Sequence, residues 1–414
     1  RVTAVNRLLV LLCVILFPIS AMAQNRDAVA ADFQAWLGST VWPKAQRAGV
    51  SRSTFETALS GVTPKWDLPD LVIPGERADT TQRQAEFRPP AGYFATGSLN
   101  TNANTGRQLM QRHAQSLARI ERQTGVPAQI IVAIWGRESS FGNARIPHNA
   151  FQILSTKGFL STRASYFTNE LIAALQMVER GYASPAAMKS SWAGALGQPQ
   201  FMPSNYLKYA ADGNGDGRAD IWGSADDTLA SIGAYLRDHG WSAGRDWGFE
   251  VNVPNTVSCA MEGPHQARHI SDWAAMGITR VNGRSFPAAE ARENGFLLMP
   301  AGRYGPAFVV TSNFTVLKAY NESDVYALFV GHVGDRMRYG VGGFSSGWSA
   351  LDSFSRSDVR AMQQKLEAQG YDVGGADGLI GNKTRGAIGT WQTRNGMAAT
   401  CYPNRAMLAA IAQQ

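Results

Sequence analysis

The stretch that organises this chain is Trp135-Gly136-Arg137-Glu138-Ser139-Ser140-Phe141-Gly142. A helix is predicted from Pro127 to about Ser140, because proline suits a first helical turn and Gly142 suits the residue after a helix end. Glu138 shares a helix face with three isoleucines that lie four, seven and eight residues earlier. Desolvation and the helix dipole both predict a raised pKa for this carboxyl, as a general acid near neutral pH requires. Position alone leaves open a structural glutamate paired with a distant arginine.

The composition indicates a globular protein of more than one domain. The chain has 414 residues, of which 44% are hydrophobic and 17% charged, and its formal net charge is +7. This length suits one large domain and one small domain. The lysines and arginines are spread along the chain without a dense run, which argues against a nucleic-acid groove.

The first 23 residues are predicted to be a signal peptide. Arg1 and Arg7 precede an apolar run over residues 8–19, and Ala21-Met22-Ala23 fits a cleavage site. The run is too short for a comfortable membrane span, although a retained anchor is the alternative. No later segment is long and apolar enough to cross a bilayer, so an exported, soluble mature protein is expected.

Cys259 and Cys401 are the cysteines of the predicted mature chain. An oxidising compartment permits a disulfide bond between them. Because they lie far apart in sequence and in different predicted domains, two free buried thiols are the expectation. Neither has the spacing of a metal ligand.

A second motif runs over residues 190–204 and contains Gly194-Ala195-Leu196-Gly197-Gln198-Pro199-Gln200-Phe201-Met202-Pro203-Ser204. Small residues, prolines and amide side chains between aromatic residues indicate tight backbone packing beside a polar pocket. On composition alone, a connection punctuated by glycine and proline is the simpler interpretation.

A third motif, Asp212-Gly213-Asn214-Gly215-Asp216-Gly217-Arg218, has oxygen-bearing side chains at alternate positions and matches the start of an EF-hand loop. The twelfth position is Gly223 instead of the usual glutamate, and Asp226 lies where a longer loop would close. This pattern favours calcium over the alternative, a turn rich in Asp and Asn without an ion.

The C-terminal half combines a predicted hairpin, a helix and a separate small unit. Apolar runs over residues 296–299 and 307–311 predict the antiparallel hairpin, and Ser323 is a plausible helix N-cap. Residues 339–350 are rich in Gly and Ser and are predicted to be a linker. Residues 351–414 form three predicted helices, all of which are needed to bury a core.

Taken together, these motifs resemble two known families. Residues 32–333 resemble the membrane-bound lytic transglycosylase B family, on the Glu138 stretch, the 194–204 motif, the calcium-type loop, and Tyr320-Asn321 with Tyr326. The last unit resembles the type 1 peptidoglycan-binding domain, on residues such as Gly370-Tyr371, Asp377-Gly378 and Trp391-Gln392. The resemblance implies a mainly α protein: a lysozyme-like catalytic domain with a small β hairpin region over residues 24–338, followed by the three-helix binding domain.

The resemblance also implies an enzyme, a carbon–oxygen lyase that acts on a polysaccharide. Glu138 would be the single acid and base that cleaves the β-1,4 bond between N-acetylmuramic acid and N-acetylglucosamine and leaves 1,6-anhydromuramyl ends, an exception to the two-carboxylate rule. The carboxylates between Glu138 and the calcium-type loop are Glu170 and Glu179, which look like surface charges of an amphipathic helix.

Further residues are assigned by their places in the family motifs. The implied substrate-binding residues are Arg163, Ser191, Gln200, Phe201, Tyr235, Tyr320, Asn321 and Tyr326. The implied calcium ligands are Asp212, Asn214, Asp216, the Arg218 carbonyl and Asp226. The ion would be structural, and the chemistry would require no cofactor.

The implied partner is the glycan strand of peptidoglycan, and a monomer in the periplasm of a Gram-negative bacterium, soluble or associated with the wall, is expected. Two alternatives remain open. A hydrolytic muramidase would use water and a second carboxylate in the cleft. A catalytically silent peptidoglycan-binding scaffold would function without Glu138.

Overall fold

A computed structural model describes residues 19–76 and 89–414, which are mainly helical. Residues 1–18 of the predicted signal peptide lie outside the described residues. The helices are α1 Ile19–Trp36, α2 Trp42–Arg47, α3 Arg52–Leu59, α4 Thr96–Arg112, α5 Ala114–Thr124, α6 Ala128–Ser139, α7 Ala150–Leu160, α8 Ala164–Glu179, α9 Pro203–Tyr209, α10 Ala225–Asp238, α11 Ile270–Ala275, α12 Ala288–Ala291, α13 Ser312–Tyr320, α14 Asp324–Tyr339, α15 Arg356–Ala368, α16 Asn382–Arg394 and α17 Arg405–Ala412. Within these two ranges, no helix has both the length and the apolar character needed to cross a membrane.

The strands are short and form two sheets. Their bounds are β1 His148–Asn149, β2 Lys189–Ser190, β3 Gly248–Asn252, β4 Arg268–His269, β5 Thr279–Arg280, β6 Asn294–Leu298 and β7 Ala307–Val310. Strands β1 and β2 pair with each other, and the other strands form an antiparallel sheet in the order β4-β6-β7-β3-β5.

The chain divides into two units. The first comprises Arg1–Thr80, Ile146–Ala195 and Met202–Ser204. Within it, α7 packs along α8, and a buried cluster joins Leu68 and Leu71 to Ile153 and Leu160. Helix α7 starts where the Asn149 side chain accepts hydrogen bonds from two backbone N–H groups, which is a standard N-cap.

The second unit comprises Thr81–Arg145, Leu196–Phe201 and Asn205–Gln414. Helix α6 lies at its centre and is contacted by α4, α5, α10 and α14. The helix is apolar on nearly every side, and its residues from Ile130 to Gly136 are all buried. A helix with this pattern belongs in a protein core, and α6 therefore gives the residues at its end a rigid support.

The predicted hairpin is confirmed and belongs to a larger sheet. Strands β6 and β7 pair antiparallel, with Phe296 opposite Val310 and Leu298 opposite Phe308. Strand β3 pairs with the other edge of β7 and places Phe249 opposite Val309. Strands β4 and β5 have two residues each, too few for the alternating apolar pattern that makes a strand visible in sequence, whereas β3 shows this pattern with Phe249 and Val251 buried.

The predicted three-helix C-terminal unit is confirmed as α15, α16 and α17. Its core contains Leu366, Ile388, Trp391 and Met407, all of which are fully buried. Helix α15 begins with a capping box, in which Ser355 and Asp358 bond each other's backbone N–H groups.

The segment predicted to be a linker packs against other parts of the second unit, to which it belongs. The Phe344 ring lies 5.1 Å from the Phe308 ring and 4.1 Å from the His332 ring. The Trp348 ring stacks on Phe94 with a centroid separation of 5.3 Å. The glycines and serines of this segment predicted flexibility, but its two aromatic side chains hold it in place.

The expectation of two free thiols is wrong, because Cys259 and Cys401 form a disulfide bond. Their Cα atoms are 6.0 Å apart although 142 positions separate them in sequence. Both residues are fully buried. The pairing depends on the docking of the C-terminal helices against the preceding part of the chain, which no local pattern reports.

Replacing both cysteines with alanine is expected to lower the free energy of unfolding by roughly 2–5 kcal/mol, because the bond closes a long loop in the unfolded chain. Chemical denaturation of the variant beside the oxidised and reduced wild type measures this difference. The reduced wild type is the control and should resemble the variant. Equal midpoints for all three would contradict the prediction.

Candidate active site

Glu138 lies in the last turn of α6, on the apolar stripe that the sequence predicted. Ile130, Ile131 and Ile134 on this face are all at least 98% buried, with exposed fractions of 2%, 0% and 0%. The Glu138 side chain itself is partly exposed. The helix therefore holds a carboxyl group at the boundary between an apolar interior and solvent.

Burial raises the pKa of Glu138 to about 7, against the opposing effects of a hydrogen bond from Tyr326 and the positive charge of Arg137. Neither of these two groups is a carboxyl. The Arg137 guanidinium is occupied elsewhere, 4.8 Å from the Tyr93 ring centroid and 5.3 Å from that of Phe329. Near neutral pH, Glu138 is thus present in both protonation states, as acid–base catalysis requires.

The residues that follow Glu138 turn the chain sharply. Ser140, Phe141 and Gly142 all have left-handed backbone conformations, with φ values of 50°, 58° and 80°. This turn folds the Phe141 ring back to an edge-on contact with Trp135 at 5.8 Å. A side chain at Gly136 would meet the Phe141 ring at 2.5 Å, so glycine is required there. Backbone strain of this kind concentrates at functional sites.

Gln198 joins α6 to the 194–204 motif. Its Oε1 accepts a hydrogen bond from Trp135 Nε1 at 2.8 Å, and its Nε2 donates to the Trp222 carbonyl at 2.9 Å. A Cβ atom at Gly142 would lie 2.5 Å from Gln198 Oε1, so this glycine permits the approach. The role of Gln198 was not predicted from the sequence. The one signal was its place among the glycines and prolines of the motif.

Tyr326 and Tyr320 flank Glu138. The Tyr326 hydroxyl donates a hydrogen bond to Glu138 Oε1, and Tyr326 is 97% buried, with an exposed fraction of 3%. The Tyr320 hydroxyl donates to the Pro199 carbonyl at 2.7 Å. Burial, followed by the charge of Glu138, raises the pKa of both phenols well above the usual value. Both therefore remain neutral donors beside the carboxyl.

Phe201 and Tyr235, two of the predicted substrate-binding residues, are buried, and their assignment stays a prediction. Phe201 is 1% exposed and Tyr235 is 6% exposed. The Tyr235 ring lies 4.8 Å from Tyr320 and 5.7 Å from Phe201, and its hydroxyl donates to the Ala319 carbonyl at 2.6 Å. These two aromatic side chains pack behind Tyr320 and support it.

Gln200 and Asn321 keep side chains at the surface of the second unit. Gln200 is partly exposed, has a left-handed φ of 54°, and donates to the Gly197 carbonyl at 3.0 Å. Asn321 is exposed and accepts a hydrogen bond from the Ser323 N–H at 3.0 Å. Both side chains are therefore accessible to a ligand that approaches from solvent.

Arg163 and Ser191 belong to the first unit. The Arg163 guanidinium lies 4.3 Å from the Tyr166 ring centroid. The Ser191 Oγ accepts hydrogen bonds from the N–H groups of Ala193 and Ala195, both at 3.3 Å. Their assignment as substrate contacts stays a prediction.

Glu170 is not the surface charge that its amphipathic helix predicted. It is 5% exposed, and its two carboxylate oxygens accept hydrogen bonds from the Ser204 N–H at 2.9 Å and the Ser204 hydroxyl at 2.7 Å. Glu179 is exposed, as predicted, and accepts from Ser51. Ser204 therefore occupies both oxygens of the buried carboxylate.

The calcium-type loop folds around its own side chains. Asp212 accepts from the Gly215 and Gly217 N–H groups at 2.6 and 2.7 Å. These and neighbouring N–H groups, the largest effect coming from Gly217, lower the pKa of Asp212. Asn214 Oδ1 accepts from the Asp216 N–H, and Asp216 Oδ1 accepts from the Arg218 N–H, both at 2.9 Å. The side-chain oxygens of Asp212, Asn214 and Asp216 thus accept hydrogen bonds from the N–H groups of their own loop, and their assignment as calcium ligands stays a prediction.

Asp226 does not join this loop. Its carboxylate contacts His113 Nδ1 at 3.0 Å and Ser116 Oγ at 2.9 Å. The neighbouring Asp227 faces the loop instead and accepts from the Gly213, Asn214 and Asp220 N–H groups. Across residues 19–76 and 89–414, no three His, Cys, Asp or Glu side chains are grouped to hold a metal ion. The predicted ligand set therefore fits calcium only in part.

Comparison with known proteins connects this geometry to a family. The model of the transglycosylase SLT domain matches residues 32–335, and that of the putative peptidoglycan binding domain matches residues 355–411. The membrane-bound lytic murein transglycosylase B of Escherichia coli is 31% identical over 287 residues, which cover 64% of this chain and 76% of that protein.

Comparison with solved structures points to the same family. SltB3 from Pseudomonas aeruginosa, in complex with NAG-anhNAM-pentapeptide, matches with a TM-score of 0.81 and 34% identity over 92% of this chain and 99% of that chain. The Escherichia coli lytic transglycosylase SLT35 in complex with calcium matches with a TM-score of 0.52 and 28% identity, covering 62% and 80%. This chain belongs to the SLT family of peptidoglycan lytic transglycosylases and carries a C-terminal peptidoglycan-binding domain.

Proposed function

We propose that this enzyme cleaves the β-1,4 bond between N-acetylmuramic acid and N-acetylglucosamine and forms 1,6-anhydromuramyl ends, with Glu138 as its single acid and base. The observation that carries the proposal is the Glu138 carboxyl itself. It is held at the solvent edge of a buried helix, its pKa is raised to about 7, and it accepts a hydrogen bond from a neutral phenol.

The first step uses protonated Glu138. Its proton passes to the glycosidic oxygen while the bond from that oxygen to C1 of the muramyl residue breaks. A pKa near ambient pH keeps a large fraction of the carboxyl protonated and makes the proton easy to give up. The N-acetyl group of the substrate would support the positive charge that develops at C1, in place of a second carboxylate.

The second step uses the carboxylate formed in the first. It accepts the proton of the muramyl C6 hydroxyl as that oxygen bonds to C1, which closes the 1,6-anhydro ring and restores protonated Glu138. No water is consumed. The Tyr326 hydrogen bond favours the charged form of Glu138, so it stabilises the state between the two proton transfers.

Binding of the sugar strand is assigned first to partly or fully exposed side chains of the second unit. Tyr320, which is partly exposed beside Glu138, Gln200 and Asn321 are the proposed contacts in the second unit. Arg163 and Ser191 are proposed on the resemblance to the family, with the guanidinium suited to a carboxylate of the lactyl group or peptide.

Two alternatives are weaker. A hydrolytic muramidase would need a second carboxylate to activate water, and the groups besides burial that shift the Glu138 pKa are a phenol and a guanidinium. A silent scaffold has no need for a carboxyl whose pKa is near neutral. The complex of the relative SltB3 with an anhydromuramyl pentapeptide favours the transglycosylase.

We also propose the setting of the reaction. The enzyme would be exported by a signal peptide over residues 1–23 and act as a monomer in the periplasm of a Gram-negative bacterium. The catalytic domain would span residues 24–338, the connection 339–350 and the wall-binding domain 351–414. The two family models, which match residues 32–335 and 355–411, support this division.

Glu138→Gln is expected to lower the rate of peptidoglycan cleavage by roughly 10²–10⁴-fold, since glutamine can neither donate nor accept the catalytic proton. Mass spectrometry of digested sacculi should find anhydromuramyl ends with the wild type and with the control Glu179→Gln, which alters an exposed carboxylate. Reducing ends from the wild type would favour the muramidase, and full activity of Glu138→Gln would refute the assignment of the acid.

Tyr326→Phe is expected to move the alkaline limb of the kcat–pH profile upward by about one pH unit, worth ~1.4 kcal/mol. The Tyr326 bond lowers the pKa of Glu138, so its loss raises that pKa and keeps the acid protonated to higher pH. Tyr339→Phe is the matched control, because Tyr339 lies on the same helix and is 63% exposed. An unshifted or downward-shifted limb would contradict the hydrogen bond's role.

We propose that the 212–218 loop binds calcium as a structural ion, on the support of its oxygen-bearing side chains at alternate positions and of the calcium complex of the relative SLT35. Addition of calcium to chelator-treated protein should raise the melting temperature. At a free calcium concentration a hundredfold above Kd, the free energy of unfolding should rise by up to ~2.7 kcal/mol. Asp212→Asn should abolish this response. If calcium and magnesium leave the melting temperature equally unchanged, the loop is a self-supported turn.

A further inference from the structure

A buried ion pair joins the C-terminal domain to the catalytic domain. Arg385 lies on α16, and its guanidinium meets both carboxylate oxygens of Glu262, with Nε at 2.6 Å and Nη2 at 3.1 Å. The two side chains are 3% and 0% exposed. Glu262 Oε2 also accepts the Met299 N–H at 2.9 Å, so the pair is anchored to the end of strand β6.

Arg385 also reaches the start of the helix that carries Tyr326. Its Nη2 lies 3.4 Å from Asp324 Oδ2, and Asp324 is the first residue of α14. Lys318, near the end of α13, meets the other Asp324 oxygen at 2.7 Å. Asp324 therefore joins the C-terminal domain to both helices that border the turn between Tyr320 and Tyr326.

Only one residue, Val325, separates Asp324 from Tyr326. Both lie in the first turn of α14, where the Ser323 hydroxyl accepts the Tyr326 N–H. Residues 324 and 326 are thus about 3 Å apart along the helix axis, at about 1.5 Å of rise per residue. Asp324 and the phenol that donates to Glu138 are therefore carried by the same helical turn.

The contact between the domains is close as well as charged. A Cβ at Gly389 on α16 would meet the Cys401 Sγ at 2.2 Å and the Ala260 Cβ at 3.3 Å. The disulfide bond between Cys259 and Cys401 lies at the same place. The interface therefore has little freedom to slide, which is what a positioning role requires.

A contribution to folding stability does not by itself explain why this charge cluster is buried. Two charges removed from water lose hydration that their attraction only partly restores, and apolar replacements often stabilise proteins. What such a pair supplies is a defined geometry, because a planar guanidinium bonds two oxygens in one orientation. Here the ion pair fixes the position of the first turn of α14, which lies beside the proposed catalytic carboxyl.

We propose that Arg385 of the peptidoglycan-binding domain is a positioning residue for catalysis, which acts through Asp324 and the first turn of α14 to hold the Tyr326 hydroxyl against Glu138. The proposal rests on the proposed role of Glu138. It makes the C-terminal domain a part of the active-site framework as well as a wall-binding module.

Full-length Arg385→Met and Asp324→Asn test this role. Arg385→Met leaves Glu262 buried without its partner and tests the whole cluster, whereas Asp324→Asn keeps the Arg385–Glu262 pair intact. Lys383→Met is the matched control on α16, since Lys383 forms an ion pair with Asp372 in which both side chains are at least 47% exposed. Each protein is assayed for kcat, KM, the kcat–pH profile and the melting temperature.

We expect Asp324→Asn to lower kcat by roughly tenfold or more with little change in KM, since small misplacements of catalytic groups are costly. Its alkaline limb should shift upward as in Tyr326→Phe. The double variant Asp324→Asn/Tyr326→Phe should be no slower than Tyr326→Phe alone, because both changes remove the same interaction. Arg385→Met should behave likewise, and Lys383→Met should resemble the wild type.

Two outcomes would overturn the inference. If Asp324→Asn and Arg385→Met melt at lower temperature but keep the kcat and pH profile of the wild type, the cluster is merely structural. If the double variant shows the full product of the two single effects, Asp324 does not act through Tyr326. Glu138→Gln, assayed alongside, distinguishes failure of this inference from failure of the proposed function. If Glu138→Gln is inactive, the two outcomes above refute this inference alone. If Glu138→Gln is fully active, the proposed function and this inference are refuted together.

Discussion

The desolvation of one carboxyl group governs the construction of this site. Glu138 extends from a helix whose buried face consists of isoleucines, and this placement raises the pKa to about 7. An isolated carboxylate in such a setting is unstable, and a nearby lysine or arginine in direct contact would lower the pKa out of the useful range. A phenol satisfies both demands, because it donates a hydrogen bond without adding a charge.

Most of the surrounding contacts maintain this combination of a raised Glu138 pKa and an uncharged hydrogen-bond donor. Arg137 is adjacent in sequence, but its guanidinium lies against the rings of Tyr93 and Phe329. Tyr320 is fixed by the Pro199 carbonyl and supported by the buried Tyr235. Gln198 joins α6 to the loop that carries Pro199. The glycines at 136 and 142 provide the space for these contacts.

The structural elements that depend on local sequence patterns were predictable from the sequence. The helix before Glu138, the hairpin of β6 and β7, and the three C-terminal helices all follow from apolar periodicity and end signals. Glu138 was recognisable as a candidate acid because its position breaks the apolar pattern, and the resemblance to the family pointed to Tyr320 and Tyr326.

The remaining features arise from tertiary contacts. Nothing near Cys259 indicates Cys401, and a Gly- and Ser-rich stretch does not show that Phe344 and Trp348 will find aromatic partners. Glu170 has the helical position of a surface residue, yet Ser204 satisfies it in a buried place. Asp226 and Asp227 are adjacent and chemically identical, and only the fold decides which of them faces the loop.

The aromatic residues of the 339–350 segment have a consequence for how the enzyme works on an insoluble substrate. Together with the disulfide bond, they hold the wall-binding helices against the catalytic helices of the second unit. The C-terminal helices therefore keep one position relative to the catalytic helices, so the wall-binding part of the second unit and its catalytic part would approach the substrate as one body.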